Sequence, residues 1–293
     1  MDRSTVILLN PTAGRGRGVK TLERLKAVAE SQSIPIWLTE GSAHATELAR
    51  RASHEGFDVV AVAAGDGTVM HVVNGLEGDQ CALAIIPSGT GNDLARHFGF
   101  SRNPEEVLDL MQRGAVRHID VGFVNGLRFL NICGVGFDAA VASRINRGFR
   151  RLRGTAAYVA AVLVELKHYR PLDLHIHLDD ELIETDAMLC AIANTSSYGG
   201  GMRIAPEADA ADGALEVVVV KGVSRGEFAR AFPTVFKGQH LSHPKVRHFR
   251  TTKARIETDQ PQSILVDGEL AARTPAEFSV NARRLRLVDT SPR

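Results

Sequence analysis

Short apolar, β-branched runs alternate with amphipathic helical patterns along the first 120 residues of the chain. The runs predict strands at 6–9, 34–39, 59–64 and 83–87, and the patterns between them predict helices at 21–31, 43–55, 68–76 and 93–97. Such an alternation is typical of a parallel, doubly wound α/β sheet with helices on both faces. Ligands of these sheets bind outside the carboxyl ends of the strands, so we expect the functional loops to follow the strands.

After residue 120 the pattern changes, because strand-like runs now follow one another. Strands are predicted at 128–133, 172–178, 184–194, 215–221, 246–256 and 264–266, with helices near 137–147, 155–169 and 225–236. Consecutive strands favour a second, mostly antiparallel domain. We therefore predict an α/β domain over 1–120 and a mostly antiparallel domain over 121–293, and we leave open a return of the C-terminal tail to the first domain.

The charge balance bears on the class of partner. The 293 residues include 35 Lys plus Arg against 34 Asp plus Glu, for a net charge of +1. A nucleic-acid binder usually carries a basic surplus, so this balance argues against a nucleic-acid partner. Cys81, Cys133 and Cys190 lie far apart in apolar runs, which predicts buried thiols rather than a disulfide framework or a metal site.

No apolar run reaches the roughly 20 residues that a membrane-spanning helix needs. The best candidate, 155–166, is shorter and contains Glu165. The N-terminal run at 6–9 is too short for the core of a signal peptide. We therefore expect a cytoplasmic protein that does not span the membrane.

Glycine-rich loops directly follow three of the predicted strands. They are NPTAGRGRG at 10–18, GDGT at 65–68 and PSGTGND at 87–93. Glycine allows a close approach of the backbone to a ligand, and backbone N–H groups at a helix N-terminus bind anions, so the loops favour a triphosphate. One such loop would be an ordinary strand-to-helix turn, but three shift the balance toward phosphate. Neither standard nucleotide fingerprint matches, which indicates a different nucleotide fold.

These loops belong to a longer series of motifs. The series runs NPTAG (10–14), GDGT (65–68), NGL (74–76), PSGTGND (87–93), GVGFDA (134–139), DG (212–213) and VDGE (266–269). In order and spacing it resembles the diacylglycerol kinase catalytic family, specifically the small bacterial soluble lipid kinases. The resemblance extends along nearly the whole chain and implies an α/β nucleotide-binding domain followed by a β-sandwich.

The resemblance also implies a site for ATP and Mg²⁺. Its nucleotide-binding positions correspond here to Asn10, Pro11, Thr12, Ala13, Gly14, Thr39, Gly65, Asp66, Gly67, Thr68, Val69, Met70, His71 and Thr90. Asp66 is implied to hold the Mg²⁺ that neutralises the phosphate oxygens. Glu269 is implied as the base that takes the proton of the attacking hydroxyl, a step that an alcohol of high pKa requires. Asp267, beside it, could simply end a strand.

A second, structural Mg²⁺ site is implied at Asp209, Asp212 and the carbonyl of Ala214. Carboxylate and carbonyl oxygens on a turn suit a hard cation. The residues alone predict an Asp-Gly turn before the strand at 215–221, with no metal. Asp93 and Asp120 match further acidic positions of the family, which would link the metal to the nucleotide site.

Two positions depart from the family pattern. Ala64 replaces the first of two glycines, and His71 replaces a glutamate. An alanine is tolerated where φ is negative. Loss of a carboxylate near the phosphates would change metal affinity or pH dependence, although His71 could equally be a solvent-facing helical residue. These departures bear on efficiency more than on the class of reaction.

The densest basic run comprises Arg144, Arg147, Arg150, Arg151 and Arg153. Guanidinium groups with apolar neighbours suit an anionic membrane surface, but they also suit a solvated helix end. A lipid kinase without a spanning segment has to meet the bilayer, so we expect peripheral contact at the inner face of the membrane. A homodimer is left open.

The sequence therefore predicts an ATP-dependent lipid kinase that phosphorylates a hydroxyl of a diacylglycerol-like lipid. Alternatives of the same fold are kinases of sphingoid bases, ceramide or other glycerolipids. A NAD kinase is a further alternative, since its nucleotide loop resembles GDGT. A catalytically weak lipid- or nucleotide-binding regulator is suggested by Ala64 and His71.

Overall fold

The structure is a computed structural model that describes residues 3–148, 154–179 and 181–291. It divides into two compact units, of which the first comprises residues 1–120 and 283–293 and the second comprises 121–282. The first elements in chain order are β1 Thr5–Leu9, α1 Arg17–Ser31, β2 Ile36–Leu38, α2 Ser42–His54, β3 Val59–Ala64, α3 Asp66–Gly75, β4 Ala82–Pro87, α4 Asp93–His97 and α5 Pro104–Arg113.

The remaining strands and helices begin with β5, in which the division between the two units falls after residue 120. They are β5 Val116–Val124, β6 Leu127–Phe129, β7 Ile132–Gly136, α6 Phe137–Gly148, α7 Gly154–His168, β8 Leu172–His177, β9 Leu182–Ala193, β10 Leu215–Lys221, α8 Arg225–Ala231, β11 Val246–Thr251, β12 Lys253–Thr258, β13 Ser263–Val266, β14 Glu269–Arg273 and β15 Ala276–Val288. Short 3₁₀ helices lie at Ala13–Arg15, Phe232–Lys237 and Gln239–Ser242.

The first unit is built on a parallel sheet with the strand order β15–β4–β3–β1–β2. Every residue of β1 and of β3 is buried. Strands covered on both faces are expected to be continuous apolar runs, which is the pattern that these two strands show in the sequence. The fifth strand is the end of β15, where Arg286 and Leu287 pair with Ala82 and Leu83.

The second unit is antiparallel and is organised around the long strand β9. The first half of β9 pairs with β8, and its second half pairs with β7 on one edge and β10 on the other. Pairing continues from β8 through β12 to the start of β15, from β7 through β13 to β14, and from β10 to β11. The predicted fold class, an α/β domain followed by an antiparallel β-sandwich, is confirmed.

Several local expectations differ from the structure. The strand expected at 128–133 is divided into β6 and β7, and β5, β14 and β15 had no predicted counterpart. The single strand expected at 246–256 is divided into β11 and β12, because the Asp179 carboxylate accepts the backbone N–H of Thr252 at 2.9 Å and the hydroxyl of Thr251 at 2.8 Å. The helix expected at 225–236 continues after Ala231 as a 3₁₀ helix that contains Pro233, which removes a backbone donor. Helix α5 had no counterpart in the prediction.

Cys81, Cys133 and Cys190 are all buried and unpaired, as predicted. Across the described residues, no helix has both the length and the apolar character to cross a membrane.

Candidate functional site

The loop after β1 and the loop after β3 lie at the point where the strand order of the first unit reverses. Strand β1 is flanked by β2 and β3. The chain therefore forms β2 on one side of β1 and then crosses back to form β3 on the other side. In open α/β sheets the ligand site lies beyond the carboxyl ends of the strands at this reversal. The glycine-rich segments that begin at Asn10 and Gly65 therefore occupy the position where a ligand is expected.

Asn10 joins these two loops. Its side-chain amide donates to the Thr68 hydroxyl at 3.1 Å, while its side-chain oxygen accepts the backbone N–H of Thr12 at 3.0 Å and the Thr12 hydroxyl at 2.8 Å. Its backbone N–H donates to the Ala63 carbonyl at 3.1 Å. One side chain thus fixes the start of the first loop and the position of the Thr68 hydroxyl.

The loops after β3 and β4 touch through their backbones. A Cβ atom on Gly89 would lie 2.4 Å from the Cα of Gly65, so the loop after β4 has no room for a side chain at this contact. The Asn92 side chain holds the loop after β4 in a tight turn. Its oxygen accepts the Gly89 N–H at 2.8 Å, and its amide donates to the Gly89 carbonyl at 3.0 Å. The result is a narrow cradle of backbone with few side chains.

Asp66, the first residue of α3, lies beside the N-terminus of α4. Its carboxylate accepts the backbone N–H of Asp93 and the backbone N–H of Leu94, each at 3.1 Å. Burial, followed by repulsion from the Asp93 carboxylate, raises the pKa of Asp66, and the backbone N–H donors oppose that rise. A Cβ atom on Gly91 would lie 3.2 Å from a carboxylate oxygen of each aspartate, so the two acids are neighbours.

Asp93 is itself buried and anchored by Arg96. The Arg96 guanidinium pairs with the Asp93 carboxylate and donates to the Gly91 carbonyl at 2.9 Å. Asp120, also expected in this acidic set, is fully buried and accepts the backbone N–H of Arg283 at 2.7 Å.

Thr39, at the carboxyl end of β2, carries an unsatisfied hydroxyl. The residue is 4% exposed, its N–H donates to the Leu9 carbonyl at 2.9 Å, and its Oγ1 has no hydrogen-bond partner. A buried hydroxyl without a partner is costly, so its presence beside a ligand-binding edge indicates a group that a ligand satisfies.

The other expected nucleotide-binding residues divide by exposure. Thr12 and Thr90 are exposed, and Pro11, Gly14, Gly67 and His71 are half-buried. Val69 and Met70 are 0% and 1% exposed, so their side chains pack in the core. They contribute to the site only by forming part of helix α3. Ala13 is buried as well.

Ala64 ends β3 in extended backbone, paired in register with Pro87. Alanine adopts this conformation without strain.

The residues of this edge fit a magnesium-bound nucleotide. Mg²⁺ is usually held in proteins by one or two carboxylates together with phosphate oxygens and water, and Asp66 and Asp93 supply two neighbouring carboxylates. Within the described residues there is no group of three His, Cys, Asp or Glu side chains that could hold a metal by themselves. A metal at this edge would therefore need oxygens from its ligand.

In the second unit, Glu269 follows a tight hairpin turn between β13 and β14. Val266 pairs with Glu269, and the intervening Asp267 and Gly268 have φ values of 46° and 92°. Two successive positive φ angles are typical of the Asp-Gly turn of a two-residue hairpin. Glu269 is exposed at the end of this rigid turn.

Asp267 does more than end a strand. The residue is 3% exposed, and its carboxylate accepts the backbone N–H groups of Leu130, Asn131 and Ile132 at 2.8, 2.9 and 3.2 Å. In return its own N–H donates to the Ile132 carbonyl at 3.1 Å. The turn that carries Glu269 is therefore fastened to the start of β7.

The segment that contains Asp209, Asp212 and Ala214 forms a turn with Gly213 at a φ of 75°. The Ala214 N–H donates to the Asp212 carboxylate at 3.0 Å, and the Arg250 guanidinium pairs with the same carboxylate at 2.9 Å. Asp209 is exposed. This geometry agrees with the Asp-Gly turn expected from the sequence. The assignment of a Mg²⁺ site to Asp209, Asp212 and Ala214 stays a prediction.

Asp138 of the GVGFDA motif is a buried acid to which the sequence pattern assigned no role. It is 5% exposed and accepts a hydrogen bond from the Tyr198 hydroxyl. Burial raises the pKa of Asp138 to about 6, against the effect of that bond. Both residues line a largely apolar cavity with Phe137, Val162, Met188 and Phe228, among others. An acid at the start of a helix directly after a glycine-rich strand is the signal that could have identified it.

Of the basic run, Arg144 pairs with Glu165 and is therefore already neutralised. Arg150, Arg151 and Arg153 lie outside the described residues, as does the side chain of Arg147.

Comparisons with known proteins agree on one family. A model of the diacylglycerol kinase catalytic domain matches residues 4–124, and one described as the YegS C-terminal NAD kinase beta sandwich-like domain matches residues 131–289. A diacylglycerol kinase of Mycobacterium tuberculosis is 36% identical over 96% of this chain and 93% of its own length. A diacylglycerol kinase of Bacillus subtilis is 30% identical over 96% and 95%.

A solved structure has the same fold. The crystal structure of a diacylglycerol kinase from Bacillus anthracis matches with a TM-score of 0.75, covering 99% of this chain and 97% of that chain. The sequences are 22% identical, so this similarity bears on the fold alone.

Proposed function

The chain belongs to the diacylglycerol kinase catalytic family, and from that membership we propose that it is an ATP-dependent lipid kinase that phosphorylates a hydroxyl of a diacylglycerol-like lipid. The observation that carries the proposal is the contact of Gly65 with Gly89 beside the carboxylate of Asp66. A backbone cradle with a neighbouring carboxylate suits a phosphate chain and the cation that accompanies it.

The nucleotide is assigned to the sheet edge of the first unit. Backbone N–H groups of the loops at 10–16, 65–68 and 89–92 are suited to the phosphates, and the buried Thr39 hydroxyl gains the partner that it lacks. Asp66 and Asp93 would hold Mg²⁺, which when bound neutralises charge on the phosphate oxygens. Repulsion between these two carboxylates falls when a cation lies between them, so metal and nucleotide binding should support each other.

Glu269 is assigned as the general base. An exposed carboxylate on a hairpin fixed by Asp267 can approach the acceptor hydroxyl without reorganising its own backbone. It takes the hydroxyl proton as that oxygen forms its bond to the γ-phosphorus and the bond to the leaving ADP breaks. A positioned base of this kind contributes about 10²- to 10⁴-fold in rate.

The apolar cavity of the second unit supports a lipid as the acceptor. Its wall is mostly aliphatic and aromatic, and a dinucleotide such as NAD would leave its polar groups without partners there. This favours a lipid kinase over a NAD kinase. Choice among diacylglycerols, sphingoid bases and ceramides depends on the few polar groups of the wall.

The structural Mg²⁺ site at Asp209, Asp212 and Ala214 is part of the proposal. The ion pair between Arg250 and Asp212 competes with it, since the guanidinium already satisfies the carboxylate. Mg²⁺ should therefore raise the unfolding midpoint more in an R250A variant than in the wild type. An equal response in both proteins would argue against a cation at Asp212.

Peripheral contact with anionic membranes through the arginines at 147–153 is proposed from the sequence alone. Sedimentation with anionic and with neutral vesicles tests it, using an Arg147, Arg150 and Arg151 triple alanine variant. Salt-sensitive binding by the wild type and its loss in the variant are expected.

The decisive experiment is phosphate transfer from γ-labelled ATP to a panel of acceptors in mixed micelles. The panel contains a diacylglycerol, a sphingoid base, a ceramide and NAD. Labelled phosphatidic acid is the expected product, and D66A and E269Q should lack it. Product from NAD alone would overturn the lipid proposal, and ATP binding without any product would favour the regulator.

A further inference from the structure

The start of β7 lies between the ends of β9 and β13, close in the chain to the turn that carries Glu269. Ile132 of β7 pairs with Ala193 of β9, and Cys133 of β7 pairs with Val266 of β13. The turn to Glu269 begins directly after this last pairing. Contacts that hold the start of β7 therefore also bear on the strand end from which the turn emerges.

Segment 130–132, which leads into β7, is hydrogen-bonded on two sides. Its N–H groups donate to the carboxylate in the turn between β13 and β14. On the other side, the Asn131 carbonyl accepts the N–H of Asn194 at 2.9 Å and that of Thr195 at 3.3 Å. The Leu130 carbonyl accepts the side-chain amide of Asn194 at 2.9 Å. The residues that directly follow β9 thus hold the segment against the turn.

Thr195 also contacts this segment through its side chain. Its hydroxyl donates to the side-chain oxygen of Asn131. Thr195 is 0% exposed and Asn131 is 4% exposed, so solvent water does not take the place of either partner. A buried amide oxygen that loses its donor carries the cost of its desolvation. Loss of the hydroxyl would therefore favour a displacement of Asn131 toward another donor.

We infer that Thr195 is a positioning residue for Glu269. Its hydroxyl fixes Asn131, whose backbone N–H donates to the Asp267 carboxylate at 2.9 Å. Only Gly268 separates Asp267 from Glu269, so a shift of the segment reaches Glu269 through a short, fixed turn. The inference rests on the proposed function, in which Glu269 is the general base. Misplacement of a reacting group by about 1 Å lowers a rate by on the order of 100-fold, so a buried hydroxyl remote from the substrate governs turnover.

T195V tests the inference, because valine has nearly the shape of threonine and lacks the hydroxyl. Phosphate transfer from γ-labelled ATP to 1,2-dioctanoylglycerol by the full chain should show a kcat about 10-fold lower, with the KM for ATP within about 2-fold of the wild type. T195S keeps the hydroxyl and should regain most of the wild-type kcat. T195A and T195S differ only in that hydroxyl, so kcat should be lower in T195A. Wild-type kcat in T195V, or equal kcat in T195A and T195S, would overturn the inference.

T251V is the matched control for loss of a buried hydroxyl. Thr251 is 3% exposed, and its hydroxyl donates to Asp179 at 2.8 Å, outside segment 130–132. T251V should lower the unfolding midpoint as T195V does, but it should keep the wild-type kcat. In an E269Q background, T195V should not lower the residual turnover further, since the base that it misplaces is already absent. An equal fold-loss in both backgrounds would make Thr195 a structural residue only.

Amide hydrogen exchange gives a readout that does not depend on activity. The Asp267 N–H donates to the Ile132 carbonyl at 3.1 Å, so its exchange rate reports how firmly the turn is fastened to segment 130–132. That rate should rise at least about 10-fold in T195V and stay near the wild-type value in T251V. Unchanged protection in T195V would overturn the inference. A wild-type protein that transfers no phosphate would defeat the proposed function, whereas the exchange rates would still decide whether Thr195 holds the turn.

Discussion

Gly65 and Gly89 are in direct backbone contact, although they belong to loops that follow different strands. A Cβ atom on Gly89 would lie 2.4 Å from the Cα of Gly65, and one on Gly65 would lie 3.1 Å from the Cα of Gly89. Backbone cannot give way as the end of a side chain can. The contact therefore sets the width of the cradle before any ligand binds, and pre-organisation of this kind lowers the entropic cost of binding.

The contact predicts that G89A separates the two loops. Overpacking against backbone should cost about 1–3 kcal/mol in the free energy of unfolding and should weaken ATP binding at least 10-fold. Chemical denaturation and calorimetry measure the two effects. G226A is the control, since a Cβ atom on Gly226 would meet nothing within 4 Å. Wild-type nucleotide affinity in G89A would show that the cradle does not bind phosphate.

D66N should lower turnover sharply with little change in overall fold. The asparagine amide would face the backbone N–H groups of Asp93 and Leu94, which need acceptors, and the negative charge for a cation would be lost. We expect a fall in kcat of at least about 100-fold and a raised Mg²⁺ requirement. The matched control is D79N, an exposed aspartate of the same unit, which should behave as the wild type.

T39V should lower nucleotide affinity while leaving stability unchanged or improved. The variant removes a buried hydroxyl that has no partner, so the free protein should gain up to about 1 kcal/mol. Nucleotide affinity should fall about 3- to 10-fold, the effect of one lost hydrogen bond. T5V is the contrast, because the equally buried Thr5 hydroxyl donates to the Arg3 carbonyl at 3.1 Å, and its loss should destabilise the protein. A T39V protein that is destabilised like T5V would mean that Thr39 has a structural partner.

Substitutions at Glu269 and Asp267 should have different effects, the first on turnover and the second on the free energy of unfolding. E269Q changes an exposed side chain and should reduce kcat by about 10²- to 10⁴-fold at unchanged stability. D267N weakens a buried acceptor of three backbone N–H groups, so its unfolding free energy should fall by about 1–3 kcal/mol. Thermal melts and turnover at saturating ATP measure both. Wild-type turnover in E269Q would remove Glu269 as the base.

Asp138 should make the stability of the protein depend on pH. Its pKa is raised from 3.8 to about 6, so the folded state binds a proton more tightly than the unfolded chain does. The stabilisation is complete below pH 3.8 and is lost as the pH rises toward 6, by on the order of 3 kcal/mol. The difference in unfolding free energy between the wild type and D138N should change by that amount between pH 4 and 7.

Two controls accompany this measurement. D259N, at an exposed turn, should show no comparable change over the same range. Y198F removes the hydrogen bond that favours the charged carboxylate, so it should raise the pKa of Asp138 further. A carbon-13 titration of the Asp138 carboxyl that gave a midpoint near 4 would contradict the burial argument.

Some elements could be predicted to the residue, and the reason is local. Strands β3 and β10 and helix α4 coincide with the ranges expected from the sequence. Strands β3 and β10 end directly before Gly65 and Gly222, and α4 begins directly after Asn92, so these boundaries are encoded next to the elements themselves. Helix α5 carried local signals too, with Asn103 as its N-cap and Pro104 as its first residue, but it follows α4 without an intervening strand and so falls outside the alternating pattern.

The sequence predicted which segments form the site, but it did not predict how their side chains are arranged. The glycine loops were identified because glycine is required wherever backbone approaches a ligand closely. Val69 and Met70 lie within such a segment, yet the structure buries both, because the motif is part of a helix with a core-facing side. The sequence pattern predicts for Asp267 only the end of a strand, since its three N–H donors lie at residues 130–132, far away in the chain.

The sequence by itself determined the alternation of strands and helices in the first unit, the fold class, the family and the loops that bear on phosphate. These follow from hydrophobic period and turn chemistry, which act between neighbours in the chain. Only the tertiary structure decided which polar groups lack partners, as with Thr39 and His240, and which acid is buried, as with Asp138. Hydrogen-bond satisfaction and desolvation depend on atoms brought together from distant parts of the chain, so no local pattern contains them.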